Sequence, residues 1–490
     1  MDISHLNPER VWKNFYALTR IPRPSKHEEK VSAFLEKFGR DLGLETIKDP
    51  IGNIIIRKPA TKGMEDRKGI ILQGHMDMVP QKNNDVAHDF TKDPITPRIV
   101  EKDGQQWVYA TGTTLGADNG MGVATAMAIL EAKDLQHGPI EALFTVDEET
   151  GMTGAFKLAP GMLKGEILIN MDSETEGELY VGCAGGVDVT ATRRYKEEPV
   201  PAGYVAYEIT VKGLRGGHSG MEINEGRGNA NKVMARVLLP LMREHAAKLS
   251  CIEGGNLRNA IPRECVATIA LPEAEVAAVD VTVARVLAEV KNEFGKIDPA
   301  VDIFAKKTKV KTVIAGNVAL KMMMAISACA NEVSRMSLDM PGMVETSGNL
   351  AIVKTANGVF TVSSLLRSSI DSSKMDMAEQ MRNVFELAGA KVKFEGAYSG
   401  WKPNMDSAIL AEMKKVYKKL YGKEPEVTGI HAGLECGILG ATYPEWDMIS
   451  FGPTIFSPHS PDERVNIESV GKCWKYLVEL LKEAPVSKRK

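Results

Sequence analysis

GIILQG (69–74), MGVATAMAILEAK (121–133), EALFTV (141–146) and EILINM (166–171) decide the fold. The first, third and fourth are short apolar runs of strand length, whereas the second repeats its apolar residues at helical spacing. Strands alternating with helical pattern from Leu72 to about Asp172 point to α/β layering. A comparable pattern returns near Gly400, with AILAEMKKVYKKLYG (408–422) and VGKCWKYLVELLKEA (470–484) as helices and DMISFGP (447–453) as a strand. The two ends of the chain, 1–187 and 399–490, are therefore expected to form one discontinuous domain.

The segment between them, 188–398, reads as an insert. YVAYEITVKG (204–213), ANKVMARVLLPLMREH (230–245), AIPRECVATIAL (260–271) and VTVARVLAEVKNEFG (281–295) give strand, helix, strand and helix, followed by strand-like VDIFAKK (301–307). A second set adds a hairpin, GNLAIVKT (348–355) with GVFTVSSLLRSS (358–369), then the helix MAEQMRNVFELAG (377–389) and the strand KVKFEGAY (391–398). This order resembles ferredoxin-like units. The Met-rich KMMMAIS (321–327) and SLDMPGM (337–343) read as pliable core or interface packing rather than a metal site.

At 490 residues the chain is too long for one core. Its 61 Lys and Arg against 64 Asp and Glu provide no basic field for nucleic acid or an anionic membrane. The start, MDISHLNPERVWKNF, lacks the basic stretch and apolar core of a secretory signal, and no run is long enough to cross a bilayer. A cytoplasmic protein is expected. The six cysteines are scattered, without paired zinc-site spacing, and read as reduced and mostly structural.

Five motifs carry chemistry. In Gly74-His75-Met76-Asp77, strand alternation puts His75 and Asp77 on one side, which suits a metal-bound imidazole and the carboxylate that orients it. Taken alone, a histidine satisfied by local hydrogen bonds explains the motif as well. In Leu115-Gly116-Ala117-Asp118-Asn119-Gly120, Asp118 reads equally as a helix cap. Asp147-Glu148-Glu149 stacks three carboxylates that repel unless cations or solvent absorb their charge. Asn170-Met171-Asp172-Ser173 and Ser457-Pro458-His459-Ser460 complete the set. All five follow strand-like runs at the carboxyl ends where open α/β sheets place ligands. A single catalytic zinc takes three protein ligands, so this surplus fits two metals sharing an aspartate.

GHMDMVP (74–80), GTTLGADNGMG (112–122), TVDEETG (145–151), ILINMDSE (167–174) and SPHSPDE (457–463) together resemble the co-catalytic di-zinc exopeptidases, the family of aminoacylase, carboxypeptidase G and peptidase T. PQKNNDVAHDFTKDPI (80–95), GLRGGHSGMEI (213–223), GNLRNAIPRE (255–264) and HAGLECG (431–437) extend the likeness to its aminoacyl-histidine dipeptidase branch over nearly the whole chain. The resemblance implies an α/β catalytic domain with a central mixed sheet flanked by helices, plus an inserted α+β lid and dimerisation domain of ferredoxin-like units. It implies two zinc ions per subunit, with manganese or cobalt as substitutes. His75 and Asp172 would hold one ion, Glu149 and His459 the other, and Asp118 both. Asp77 would orient His75 and Glu148 would act as general base, an assignment that rests on the family pattern and not on spacing. His218 would stabilise the oxyanion, Asn259 and Arg367 would hold the substrate backbone and carboxylate, and Gly433 would bring backbone groups close. The implied reaction is hydrolysis of dipeptides, Xaa-His dipeptides such as carnosine included, by water activated between the zinc ions, with lid closure.

Rival readings are an N-acyl amino-acid deacylase or a carboxypeptidase on the same core, a non-catalytic metal-dependent binding protein, and a structural α/β protein with acidic loop ends. A homodimer is expected, with His218 acting within its own subunit or across to the partner. A small peptide is the expected ligand, with neither nucleic acid nor membrane.

Overall fold

A computed structural model describes residues 2–487. It separates into two compact units, one formed by Met1–Gly182, Pro403–Gly429 and Leu434–Lys490, the other by Cys183–Lys402 and Ile430–Gly433.

The first unit is built on an eight-stranded mixed sheet. Its strands run in the order Glu45–Lys48, Ile54–Lys58, Ile140–Thr145, Ile70–His75, Ile167–Asn170, Asp447–Ser450, Glu178–Cys183 and Glu426–Ile430. Ile70–His75 lies parallel between Ile140–Thr145 and Ile167–Asn170, and Asp447–Ser450 continues the parallel set. Every residue of the first three is buried, which is why they read as unbroken apolar runs and not as alternating ones. Antiparallel strands extend the sheet beyond this set on either side. The helix Ala117–Glu131, buried almost all round, packs on Ile70–His75 and on the helix Glu9–Thr19.

Register does the positioning. His75 stands opposite Thr145, and Gln73 opposite Asn170, so the parallel strands finish nearly level and their following loops leave from one edge. A separate four-stranded sheet pairs Ile455–Phe456 with Arg464–Asn466, and that hairpin turns through His459.

The second unit contains a nine-stranded antiparallel sheet made of two four-stranded ferredoxin-like sets joined edge to edge, plus Glu332–Met336, which pairs with Val344–Ala356. One set is the strand Tyr204–Lys212, helix Ala230–Glu244, strands Lys248–Gly254 and Cys265–Pro272, helix Ala277–Phe294 and strand Asp302–Thr308. The other is the strand Gly185–Arg194, helix Val318–Ala328, strands Val344–Ala356 and Val359–Ser368, helix Asp371–Leu387 and strand Lys391–Tyr398. The first set is inserted after the opening strand of the second, and Glu197–Pro199 pairs with Thr312–Ile314 where the insertion begins and ends. The two sets meet where Glu253 and Gly254 pair with Lys354 and Val353. Leu238, Ile269, Phe360 and Phe385 are core residues with no exposed surface.

The sequence reading passed over several elements of this unit, the short strands Glu197–Pro199, Thr312–Ile314 and Glu332–Met336 among them. Lys248–Gly254 and Gly185–Arg194 are strands, and KMMMAIS lies on the helix Val318–Ala328, where Met322 and Met323 are fully buried. That helix is apolar on most sides, so it shows no clear helical stripe. Among the described residues no helix is long and apolar enough to cross a membrane. All six cysteines are free thiols.

Candidate active site

Seven of the residues singled out above converge at the carboxyl edge of the first unit's sheet. His75, the last residue of its strand, has Nε2 3.1 Å from Asp118 Oδ1 and 3.4 Å from Asp172 Oδ1. His459 Nε2 lies 3.2 Å from the other Asp118 oxygen and 3.0 Å from Glu149 Oε2. Asp118 thus stands between two imidazoles and presents one oxygen to each. His75, Asp118 and Asp172 form one trio with ligand atoms within 4.8 Å of one another, and Asp118, Glu149 and His459 form a second; Glu148 joins His75 and Glu149 in a third.

Local backbone explains these positions. Asp118 lies near the start of its helix with non-helical φ −79° and ψ 113°, and it is not a cap, because its carboxylate oxygens face His75 and His459 and not a backbone N–H. Gly116 before it has φ 70° and carries no Cβ, which would sit 2.6 Å from Arg23 Nη2. Asp147 turns away from its two neighbours: its carboxylate takes the hydroxyls of Thr150 and Thr153, while Glu148 and Glu149 open a short helix facing the site.

Asp77 is fully buried behind His75. Its Oδ1 lies 3.3 Å from His75 Nδ1 and accepts the Glu148 N–H at 3.1 Å, while Oδ2 accepts the Ser25 hydroxyl at 2.8 Å and the Glu149 N–H at 3.3 Å. Burial pushes this carboxyl up, but these bonds outweigh it and hold Asp77 below the ordinary carboxylate range. With Nδ1 facing Asp77, the imidazole directs Nε2 at the other carboxylates.

Two buried residues that sequence reasoning missed hold the loops in place. Glu463, 2% exposed, accepts the backbone N–H groups of Leu115, Gly116, Ala117 and Asp118 at 2.7–3.2 Å. Arg23, also 2% exposed, donates to the carbonyls of Met76, Asp77 and Gly116 at 2.6–3.1 Å. Glu463 closes the SPHSPDE motif that drew attention through His459. Arg23, in the run IPRPS, carried no comparable signal.

The electrostatics call for cations. Asp77, Asp118, Glu149 and Glu463 crowd one buried region around the guanidinium of Arg23, whose pKa burial lowers to about 10. Burial raises Glu148 well above the ordinary range and Asp172 to about 7. Bonds to Asp118 and Glu149 raise His459 to about 11. Burial opposes protonation of His75, but Asp172, Asp118 and Asp77 overcome it and raise its pKa strongly. Protons are thus drawn into the places where cations would balance the acids. Glu149 Oε1 and Asp172 Oδ1 are buried without a hydrogen-bond donor. Imidazole and carboxylate donors without sulfur, with unpaired oxygens between them, fit divalent zinc or manganese.

The family model "Peptidase family M20/M25/M40" matches residues 71–483. The chain belongs to this family. It is 46% identical over 485 residues to the cytosol non-specific dipeptidase of Escherichia coli K12, with 99% of each chain covered. A crystal structure of aminoacylhistidine dipeptidase from Vibrio alginolyticus is 47% identical, covers 99% of both chains and superposes with a TM-score of 0.93. Aminopeptidase PepT from Bacillus cereus, at 18% identity and a TM-score of 0.57, shares the fold. The M20 chain described here therefore carries a family-wide peptidase architecture, and its candidate metal-binding groups are those of the strand-end motifs.

The other four expected site residues belong to the second unit. His218 Nδ1 accepts the N–H groups of Gly220 and Met221 at 3.2 and 3.0 Å, which leaves the ring proton on Nε2. Burial, then Arg367, lowers its pKa and keeps the ring neutral. Arg367 is 5% exposed and donates to Tyr398 OH at 3.1 Å, with its Nε unpaired. Gly220 separates them, since a Cβ there would lie 3.1 Å from His218 Cε1 and 3.2 Å from Arg367 Nε. Asn259 is exposed, and its carbonyl accepts the Ser219 N–H at 2.8 Å. Gly433 lies two residues beyond His431, which is buried and bonded to Ser347 Oγ at 2.7 Å.

Proposed function

We propose that this chain hydrolyses dipeptides at a pair of divalent metal ions. The observation that carries the reading is Asp118, whose two oxygens face separate imidazole–carboxylate pairs. His75 and Asp172 would hold one ion, Glu149 and His459 the other, and Asp118 both. Such a pair, when bound, lowers the pKa of water and polarises a scissile carbonyl.

The protein's own groups do the rest. Asp77 keeps the His75 proton on Nδ1 and so leaves Nε2 as a ligand. Glu148 is the residue beside these ligands that binds no ion in this scheme; it accepts a proton from the attacking water and returns it to the leaving amine. Its N–H is tied to Asp77, which fixes where that carboxylate stands relative to His75. Nε2–H of His218 supplies a neutral donor for the developing oxyanion. The buried guanidinium of Arg367, with an unpaired Nε, suits a substrate carboxylate, with Asn259 and the Gly433 backbone as further contacts.

Dipeptides, Xaa-His among them, are favoured because the similarity to the two dipeptidases runs the full length of both chains. Zinc is the proposed ion, with manganese or cobalt as substitutes, in a cytoplasmic homodimer. Assaying the zinc-loaded protein on Xaa-His dipeptides, other dipeptides, tripeptides and N-acyl amino acids tests the reading. Dipeptide turnover is expected, and activity confined to N-acyl amino acids would overturn it.

A further inference from the structure

Beneath His75 runs a buried polar chain that the proposed reaction does not use. Gln73, two residues earlier on the same strand face, donates Nε2 to Glu435 Oε2 at 2.6 Å. Its Oε1 accepts from Asn170 Nδ2 at 2.6 Å. Asn170 Oδ1 then accepts the backbone N–H of Asp172 at 3.2 Å and the hydroxyl of Ser450 at 2.5 Å. Thr145, the register partner of His75, donates to the same Glu435 oxygen at 2.7 Å. Gln73, Asn170 and Glu435 have no exposed surface, and Glu435 Oε1 has no hydrogen-bond partner.

The direction of this chain is set at one end. Burial raises the Glu435 carboxyl to about 7, but its Oε2 already receives two donors, Gln73 Nε2 and Thr145 Oγ1, so a proton would sit on Oε1 and Oε2 still excludes the Gln73 oxygen. Gln73 Oε1 is thereby turned toward Asn170, and Asn170 Oδ1 toward the Asp172 backbone. Reversing either amide would set donor against donor, or acceptor against acceptor, in a region where no water can repair the mismatch. Without the carboxylate, both orientations of Gln73 become open. The Asp172 backbone then loses an acceptor held in one place.

We propose that Glu435 is a positioning residue for the metal centre, fixing Asp172 through Gln73 and Asn170. This rests on the two-ion reading above and assigns to the HAGLECG motif a task separate from substrate contact. It acts through hydrogen-bond direction, so an amide of the same shape, which can donate as well as accept, replaces it only in part. It also acts on one side of the centre, because Glu149 and His459 stand outside the chain.

The test is a zinc titration of metal-free wild type, Glu435→Ala, Glu435→Gln and Gln73→Leu, with affinities taken from calorimetry under chelator competition. Wild type is expected to take up two ions. Glu435→Ala and Gln73→Leu should each weaken one of them about 10–100-fold, the usual cost of removing a group that orients a ligand, and leave the other unchanged. Glu435→Gln, whose amide oxygen can accept from Gln73 and Thr145 but whose NH2 no longer excludes the reversed Gln73, should keep both ions and weaken the same one less than Glu435→Ala does. Gln73→Leu interrupts the chain without emptying the Glu435 position, so it carries the test if the alanine variant does not fold. Wild-type affinities in both broken variants overturn the proposal, as does equal loss of both ions or a Glu435→Gln protein as defective as Glu435→Ala. A wild-type chain that binds no zinc overturns the two-ion reading, and this proposal with it.

Discussion

Replacing Asp77 by asparagine exchanges one buried oxygen for an amide nitrogen, and the hydrogen bonds around it decide which. Oδ1 serves His75 Nδ1 and the Glu148 N–H, and Oδ2 serves Ser25 Oγ and the Glu149 N–H. Placing the new NH2 at the Oδ2 position does less damage. Ser25 can turn its hydroxyl to the Met78 carbonyl, 3.3 Å away, and accept from the amide, so only the Glu149 N–H is stranded. A charge-assisted bond contributes ~1.5–3 kcal/mol and a neutral one ~0.5–1.5 kcal/mol. One bond lost and two weakened by ~1–1.5 kcal/mol each therefore remove roughly 3.5–6 kcal/mol from the site. The Asp77 carbonyl oxygen, 3.2 Å from His75 Nδ1, retains part of the imidazole's orientation. The share that reaches the metal should then be about 10–100-fold in zinc affinity, or ~1.4–2.8 kcal/mol. Zinc competition titrations and dipeptide turnover on Asp77→Asn measure it. Wild-type affinity together with wild-type kcat/KM would refute the role given to Asp77.

Three further outcomes follow from the same geometry. Glu148→Ala should retain both ions by metal analysis while its kcat falls by about 10²–10⁴, and a fully active variant would remove Glu148 from the proton transfers. Glu463→Ala strands the four N–H groups that hold the Asp118 loop, so it should lower the melting temperature and, because Asp118 is shared, weaken both ions in the same titration. His459, with a pKa of about 11, and the strongly raised His75 are both protonated at neutral pH before metal enters. Zinc uptake should therefore release about two protons from these rings, plus part of a third from Asp172, raised to about 7, and tighten as pH rises, which calorimetry in buffers of different ionisation enthalpy reads directly.

Much of this site is legible in the sequence because His75, Glu149 and Asp172 each follow a strand of the main sheet whose apolar run announces it, whereas Asp118 and His459 follow strands of the separate four-stranded sheet. His75, Asp172 and the Asp147–Glu149 turn stand within a few residues of such runs, and the parallel register brings the strand ends level. Their mutual distances are not legible. Asp118 and His459 are separated by 341 residues and meet at 3.2 Å. The supporting residues are harder still: Glu463 reaches back 345 residues to the Asp118 N–H, and Glu435 reaches 362 residues to Gln73. A lone buried acid has no periodicity to betray it. In the second unit, Gly185–Arg194 alternates with Val187, Val189 and Ala191 inward, a period that sequence reading could have used. The helix Val318–Ala328 offers no such stripe, which is why its methionines read only as packing.

A crystal grown with zinc and measured on both sides of the zinc absorption edge tests the central claim most directly. Two anomalous peaks are predicted, one beside His75 and Asp172 and one beside Glu149 and His459, with a carboxylate oxygen of Asp118 on each. A single peak, or two peaks of which Asp118 touches at most one, would contradict it.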